Sequence, residues 1–520
     1  MNKLARKIVL LAAVLAAPLL RADVKLPAII GDNMALQQGI PVPIWGWADP
    51  GEEVSVTFDG QTKTAKAGDD KKWMVKLDAL KTGKQGEMTI KGKNTLTLKN
   101  IIVGEVWVNS GQSNMEFGMG GTKNSAEEIA NAKFPNIRLF TVKKAVSDVA
   151  LTDCVGKWEE CSPETAKSFS AVAYFFGRKL HQDLAVPVGL IHTSWGGTPA
   201  EAWTISATME ADPELKPIVD RYAQQKVNDT PENFEKKMAK FKDDMAKWKE
   251  TSEKLKAEKK PVPRAPQQPQ RGPGPNSPSS LYNAMIAPIV PYGIAGATWY
   301  QGESNAGRAF QYRKLLPAMI TDWRKAWGEG DFPFMIVSLA NFMARKPEPA
   351  DSNWAELREA QLLTSINTPK TGLGLAIDIG DDKDIHPKNK QDVGLRIALQ
   401  ALKIAYNKDI PFSGPMYDSI TVDGANAKVK FKHVFGGLEA KDGELKGFAV
   451  AGEDKKFYWA TAKIDGDTVV VSSDKVAKPV AVRYAWADNP ECNLYNKANL
   501  PAVPFRTDTW TGITENEKAR

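Results

Sequence analysis

The sequence predicts an α/β domain with a parallel sheet, flanked by an N-terminal and a C-terminal β-domain. Three observations carry this. Residues 23–101 show short alternating apolar runs separated by turn signals. From 102 to 408 apolar strands alternate with amphipathic helices. From 409 to 520 the chain is again strand-like and rich in turns. A chain of 520 residues is too long for one ordinary domain, and a hydrophobic content of 42% is ample for real cores.

Residues 1–22 read as a secretory signal. Lys3, Arg6 and Lys7 form a basic start, residues 8–20 an apolar core, and Leu20-Arg21-Ala22 a cleavage site before Asp23. The apolar run is short for a membrane span of ~20 residues, and no later segment is long and apolar enough to cross. Cleavage would remove Lys3, Arg6, Lys7 and Arg21, taking the formal net charge from +7 to +3. The remaining charges are mixed along the chain, which gives nucleic-acid binding no support. The expected location is periplasmic or extracellular, and 15 Trp favour a carbohydrate-facing protein. The sequence sets no oligomeric state.

In the first β-domain, Val54-Ser55-Val56-Thr57-Phe58 and Trp73-Met74-Val75-Lys76-Leu77 alternate between apolar and other residues. Asp49-Pro50-Gly51 and Asp59-Gly60 separate such runs, as in a small β-sandwich. In the α/β region the predicted strands are 103–109, 186–192, 293–299, 333–339 and 373–379. The predicted helices are 165–184, 308–327, 351–367 and 388–406. Such alternation implies a parallel sheet covered on both faces.

Residues 208–280 interrupt it. Phe234, Met238, Phe241, Met245, Trp248 and Leu255 form one apolar seam on a long lysine-rich helix begun at Asp229-Thr230-Pro231. The seam is expected to pack on the body or another helix. A Pro/Gln/Gly tract over 261–278 should be extended and mobile. In the closing β-domain, 427–433, 448–450 and 468–471 read as strands. Of the three cysteines, Cys154 and Cys161 are close enough in sequence to pair, with idle thiols an equal reading. None sits in a metal spacing.

Gly111-Gln112-Ser113-Asn114-Met115 follows the apolar run 101–108. A serine at the carboxyl end of a buried strand stands where α/β proteins place their chemistry. The chain has four histidines. His181 ends a helix, His433 lies in the C-terminal β-region, and His192 ends a strand before Gly196-Gly197. His386 follows the last strand of the α/β domain, in Asp381-Asp382-Lys383-Asp384-Ile385-His386-Pro387. It is the best general base for Ser113. Asp384 is the nearest carboxylate to orient it, with Asp381 and Asp382 as alternatives. An oxyanion needs donors fixed in advance. The Ser113 N–H, the loop at Gly196-Gly197 and the loop Gln301-Gly302-Glu303-Ser304-Asn305 all open at the same sheet edge. Gln112, Asn114, Trp195 and Glu303 are candidate substrate contacts. Trp195, Trp203, Trp299 and Tyr300 form either an apolar wall for a sugar ring or ordinary core.

Other chemistries fare worse. The acidic run Asp378, Asp381, Asp382, Asp384 lacks the spacing of a calcium loop. Gly118-Met119-Gly120-Gly121 is followed by no Lys-Ser/Thr pair and is no phosphate loop. Glu116 and Glu303 are a minor alternative as a glycosidase pair.

Three motifs, Gly111-Gln112-Ser113-Asn114-Met115, Trp299-Tyr300-Gln301-Gly302-Glu303-Ser304-Asn305 and Asp384-Ile385-His386-Pro387, resemble those of the sialate O-acetylesterases, a branch of the SGNH hydrolases. Trp354-Ala355-Glu356-Leu357-Arg358-Glu359-Ala360-Gln361 and Asn489-Pro490-Glu491-Cys492-Asn493-Leu494-Tyr495-Asn496 extend the likeness over nearly all the mature chain. The resemblance implies a flavodoxin-like SGNH hydrolase domain and a serine esterase that removes acetyl groups from sugar hydroxyls. It implies no metal and no cofactor. The expected substrate is an O-acetylated carbohydrate, sialic acid first, with acetylated xylan or another glycan as alternative; a non-catalytic carbohydrate-binding protein is the rival reading. By motif, Ser113 is the nucleophile, His386 the base, and Gly197, Gln301 and Asn305 fall at the oxyanion loops. SGNH hydrolases usually place the aspartate three residues before the histidine, where this chain has Lys383, so Asp384 departs from the pattern.

Overall fold

The structure, a computed structural model, describes residues 23–269 and 271–518. The signal expected over 1–22 lies outside them. No helix among the described residues is long and apolar enough to cross a membrane.

A central sheet runs in the order Thr371–Gly374, Phe334–Val337, Gly296–Tyr300, Thr95–Gly111, Val188–Ser194, Phe134–Thr141, Trp158–Cys161. The first six are parallel, and Trp158–Cys161 is an antiparallel edge. Successive side chains on a strand face opposite sides, and the sheet has a core on each. Trp107, Tyr300, Met335 and Val337 face the helices Ala171–Leu184 and Lys390–Ile404. Val106, Val108, Trp299 and Ile336 face Ala309–Trp327 and Asn353–Asn367. Both faces being dry, these strands read as continuous apolar runs.

Thr95–Gly111 is one continuous strand of 17 residues. Its first half alternates between partly exposed and exposed residues, and its second half is wholly buried. Residues 95–102 pair with Gln85–Lys91, 102–104 with Ala35–Gln37, and 105–111 with the central sheet. The change of pattern near residue 101 is therefore a change of environment along one element. The N-terminal β-region accordingly shares a core with one face of the α/β domain, Val54 and Val56 lying in the same cluster as Val106. Its strands keep the expected alternation: in Lys72–Leu77, Trp73, Val75 and Leu77 are buried and their neighbours exposed. The C-terminal region has its own core around Val429, Phe448, Val469 and Val482.

The insertion folds on itself. Thr230 caps the helix Pro231–Ala257, accepting from the Asn233 N–H. The proline tract then returns along the helix. Trp248 Nε1 donates to the Pro263 carbonyl at 2.7 Å, and the Gly272 N–H reaches Asp229 Oδ2 at 3.1 Å, back at the start of the helix. The 27 helical residues rise ~40 Å at ~1.5 Å each, a distance that about a dozen residues at ~3.1 Å each are nearly long enough to retrace. At Trp248 the seam therefore meets the chain's own proline tract. The three cysteines are free thiols, not a Cys154–Cys161 disulfide.

Candidate active site

The site stands at the carboxyl ends of the parallel strands. Thr95–Gly111 ends beside Tyr300, its register partner. Gly111 has φ +142°, and a Cβ on it would lie 2.2 Å from the Tyr300 carbonyl oxygen. Only glycine lets the two backbones approach so closely. The Gln112 N–H donates to that same carbonyl at 3.0 Å. The chain then turns at once into the one-turn helix Ser113–Glu116. Ser113 opens the helix, so its N–H has no acceptor within it.

His386 Nε2 lies 2.9 Å from Ser113 Oγ. Asp384 Oδ1 takes two contacts, one from His386 Nδ1 at 3.3 Å and one from the His386 backbone N–H at 2.9 Å. Asp381 acts elsewhere in the loop, where its Oδ1 accepts the N–H groups of Lys383 and Asp384 and shapes the turn. Of the three aspartates, only Asp384 bonds the imidazole. The Asp384 side chain is 50% exposed, so its contact with the ring is solvated. Phe117 stacks on the ring, with centroids 6.3 Å apart. Asp378 is engaged elsewhere, bonded by both terminal nitrogens of Arg396 and by the Tyr495 hydroxyl.

The two glycine-bearing loops fare differently. A Cβ built on Gly196 would stand 3.2 Å from Ser113 Cβ, so this loop lies directly against the serine. The Gly196 N–H donates to Glu116 Oε2 at 2.6 Å, and Lys144 Nζ holds Glu116 Oε1 at 2.6 Å. Gly197 has φ +77° and open space where a side chain would be.

The second loop departs from expectation. Gln301 directs its amide nitrogen at the Thr198 carbonyl (3.3 Å) and Asn305 Oδ1 (2.7 Å), and its oxygen accepts from the Tyr312 hydroxyl. Asn305 Nδ2 donates to Glu201 Oε2 at 2.9 Å, while its oxygen also accepts the Ala200 N–H. Both residues are buried. A buried amide has to satisfy its polar atoms locally, and these two do so by bracing the 198–201 segment. The oxyanion role expected of Gln301 and Asn305 is thereby corrected.

The expected substrate contacts are also internal in part. Gln112 is buried, its Oε1 facing the N–H groups of Gly302 and Ser304 at 3.4 Å each. Asn114 is buried and donates to Glu303 Oε1 at 2.7 Å and to the Ile385 carbonyl at 3.0 Å. Glu303 Oε2 is buried without a partner, and burial raises its carboxyl pKa. Glu116 and Glu303 thus serve different loops instead of forming a pair. Trp195 is half-buried, with Lys144 Nζ 5.3 Å from its ring centroid. Trp203, Trp299 and Tyr300 are fully buried core and form no wall for a sugar.

One residue escaped the sequence reading. Lys390 is fully buried, and its Nζ donates to Asn114 Oδ1 at 2.5 Å. Burial pushes its pKa down to about 7, against the pull of Glu303 and Asp384. The available signal was its place at the first position of a helix, behind the capping Asn389. A helix start disfavours a cation.

Comparison with known proteins gives a consistent picture. The family described as carbohydrate esterase, sialic acid-specific acetylesterase, matches residues 267–403. The chain is 29% identical to the mouse protein (Mus musculus) named sialate O-acetylesterase, over 91% of this chain and 92% of that one. The human (Homo sapiens) protein of that name is likewise 29% identical, over 92% and 91%. Among solved structures, a carbohydrate acetylesterase from Xanthomonas citri superposes with a TM-score of 0.79 at 35% identity, covering 94% of this chain and all of that one.

Proposed function

The chain belongs to the sialate O-acetylesterase family of carbohydrate esterases, and from that premise we propose how it removes acetyl groups from sugar hydroxyls. The observation that carries the reading is the 2.9 Å contact between Ser113 Oγ and His386 Nε2. Ser113 Oγ attacks the acetyl carbonyl as His386 takes its proton. The N–H groups of Ser113 and Gly197 stabilise the oxyanion that forms. Its collapse breaks the ester bond, and His386 returns the proton to the departing sugar oxygen. Water, deprotonated by His386, then attacks the acetyl-serine, and acetate leaves with Ser113 restored.

Sialic acid O-acetyl esters are the first substrate to try, since the family description and the mammalian relatives carry that name. Acetylated xylan is the second. Trp195, at the edge of the site, is the aromatic placed to meet a sugar ring. The basic start and apolar core of residues 1–22 support export, with action in the periplasm or outside the cell.

The test is acetate release from an aryl acetate by wild type and Ser113→Ala. Loss of a nucleophile in a comparable triad lowers turnover by on the order of 10⁶. Equal rates in the two proteins would sink the mechanism. Profiling against acetylated sialic acids and acetylated xylan assigns the sugar.

A further inference from the structure

Lys390 is a cation where a helix least accommodates one. It opens Lys390–Ile404, whose first N–H groups and dipole already present positive charge. It is fully buried, its ammonium 4.8 Å from the Phe117 ring centroid and 5.4 Å from that of Tyr300. The charged groups acting on it are Glu303 and Asp384. A lysine kept in such a place, bonded to the residue that follows the reactive serine, points to a role in the site.

That role follows from the chemistry of an amide, which has one accepting and one donating end. The ammonium engages the oxygen of Asn114. The nitrogen of Asn114 must then face the other way, and there it meets Glu303 Oε1 and the Ile385 carbonyl. Asn114 follows Ser113, and Ile385 precedes His386. The Asn114–Ile385 bond therefore joins the same two segments as the Ser113–His386 contact, one residue away on each.

We propose that Lys390 is a positioning residue for ester hydrolysis: it locks the Asn114 amide in the orientation that ties the Ile385 carbonyl to the nucleophile turn, and so sets the distance from Ser113 to His386. Glu303 closes the same network from a third loop. Lys390 has no place at the substrate, so it acts on turnover and not on binding. The proposal rests on the esterase reading above.

The experiment measures Ser113-dependent aryl acetate hydrolysis in wild type, Lys390→Met, Asn114→Leu and the double variant. A displacement of 1 Å at a reacting pair costs on the order of 10²-fold. Each single variant should therefore lose about 10- to 100-fold in kcat, with KM within about twofold. The double variant should be no slower than the worse single, because both changes break one link. An unchanged kcat in Lys390→Met, a loss carried by KM, or multiplied losses in the double variant would each overturn the proposal. If Lys390→Met is insoluble, Lys390→Leu, which likewise removes the donor to Asn114, is judged by the same criteria. Absence of any Ser113-dependent release in wild type would overturn the esterase reading itself. Full activity in the Lys390 variant beside active wild type overturns this proposal alone.

Discussion

His386 Nε2 and Ser113 Oγ stand 2.9 Å apart across 273 residues of sequence. The parallel sheet brings them together, because each follows a strand of that sheet at its carboxyl end. The third member is less firmly held. The imidazole meets Asp384 at 3.3 Å, and the carboxylate is half exposed.

That asymmetry predicts a mild Asp384→Asn phenotype. Replacing a buried triad aspartate can lower kcat by about 10⁴. An exposed pair contributes only about 0–1 kcal/mol, under about tenfold in rate. We expect Asp384→Asn to lose no more than about fivefold in kcat/KM, and Asp382→Asn to match wild type. A loss of 10³ or more in Asp384→Asn would show that the solvated contact orients the ring fully.

Much of this was legible in the sequence, and the misses share a cause. The five strands and four helices expected in the α/β domain each have a counterpart, because each carries an apolar pattern. The strand expected at 103–109 begins at Thr95, however, that at 373–379 is Thr371–Gly374, and the helix at 165–184 divides into Pro163–Ala166 and Ala171–Leu184. Phe134–Thr141 and Trp158–Cys161 were missed. The first starts exposed around Pro135, and the second is a four-residue edge strand. Ser113 and His386 were legible because a reactive side chain after a buried strand is unusual. Gln301 and Asn305 misled because an amide after a strand reads the same whether it faces a ligand or a scaffold carbonyl. Only the positions of Thr198, Ala200 and Glu201 decide that, and the sequence does not place them.

His192 predicts acid sensitivity. Burial pushes its imidazole pKa down to about 4, and its Nδ1 is buried without a partner. In the unfolded chain the group titrates near ~6.5. Between those values the unfolded chain binds the proton and the folded chain does not. Stability is therefore whole above pH ~6.5 and declines as the pH falls toward about 4. The full difference is about 3 kcal/mol. Thermal midpoints of wild type at pH 7 and 4.5 should show the fall, and His192→Gln should flatten it. An equal fall in both proteins would move the effect to another group.

Glu116 offers the sharpest test of the glycine loop. One of its oxygens accepts the Gly196 N–H, and the other is held by Lys144. Glu116→Ala leaves the Gly196 N–H without its acceptor and lets the loop drift from Ser113. Removing an oxyanion donor outright costs about 10²- to 10³-fold in kcat, and displacing one should cost less. We expect kcat to fall about 10- to 100-fold, with KM for an aryl acetate nearly unchanged. A rise in KM for acetylated sugar at constant kcat would mean that Glu116 meets the substrate directly. The two outcomes separate cleanly, because an aryl acetate has no sugar for Glu116 to bind.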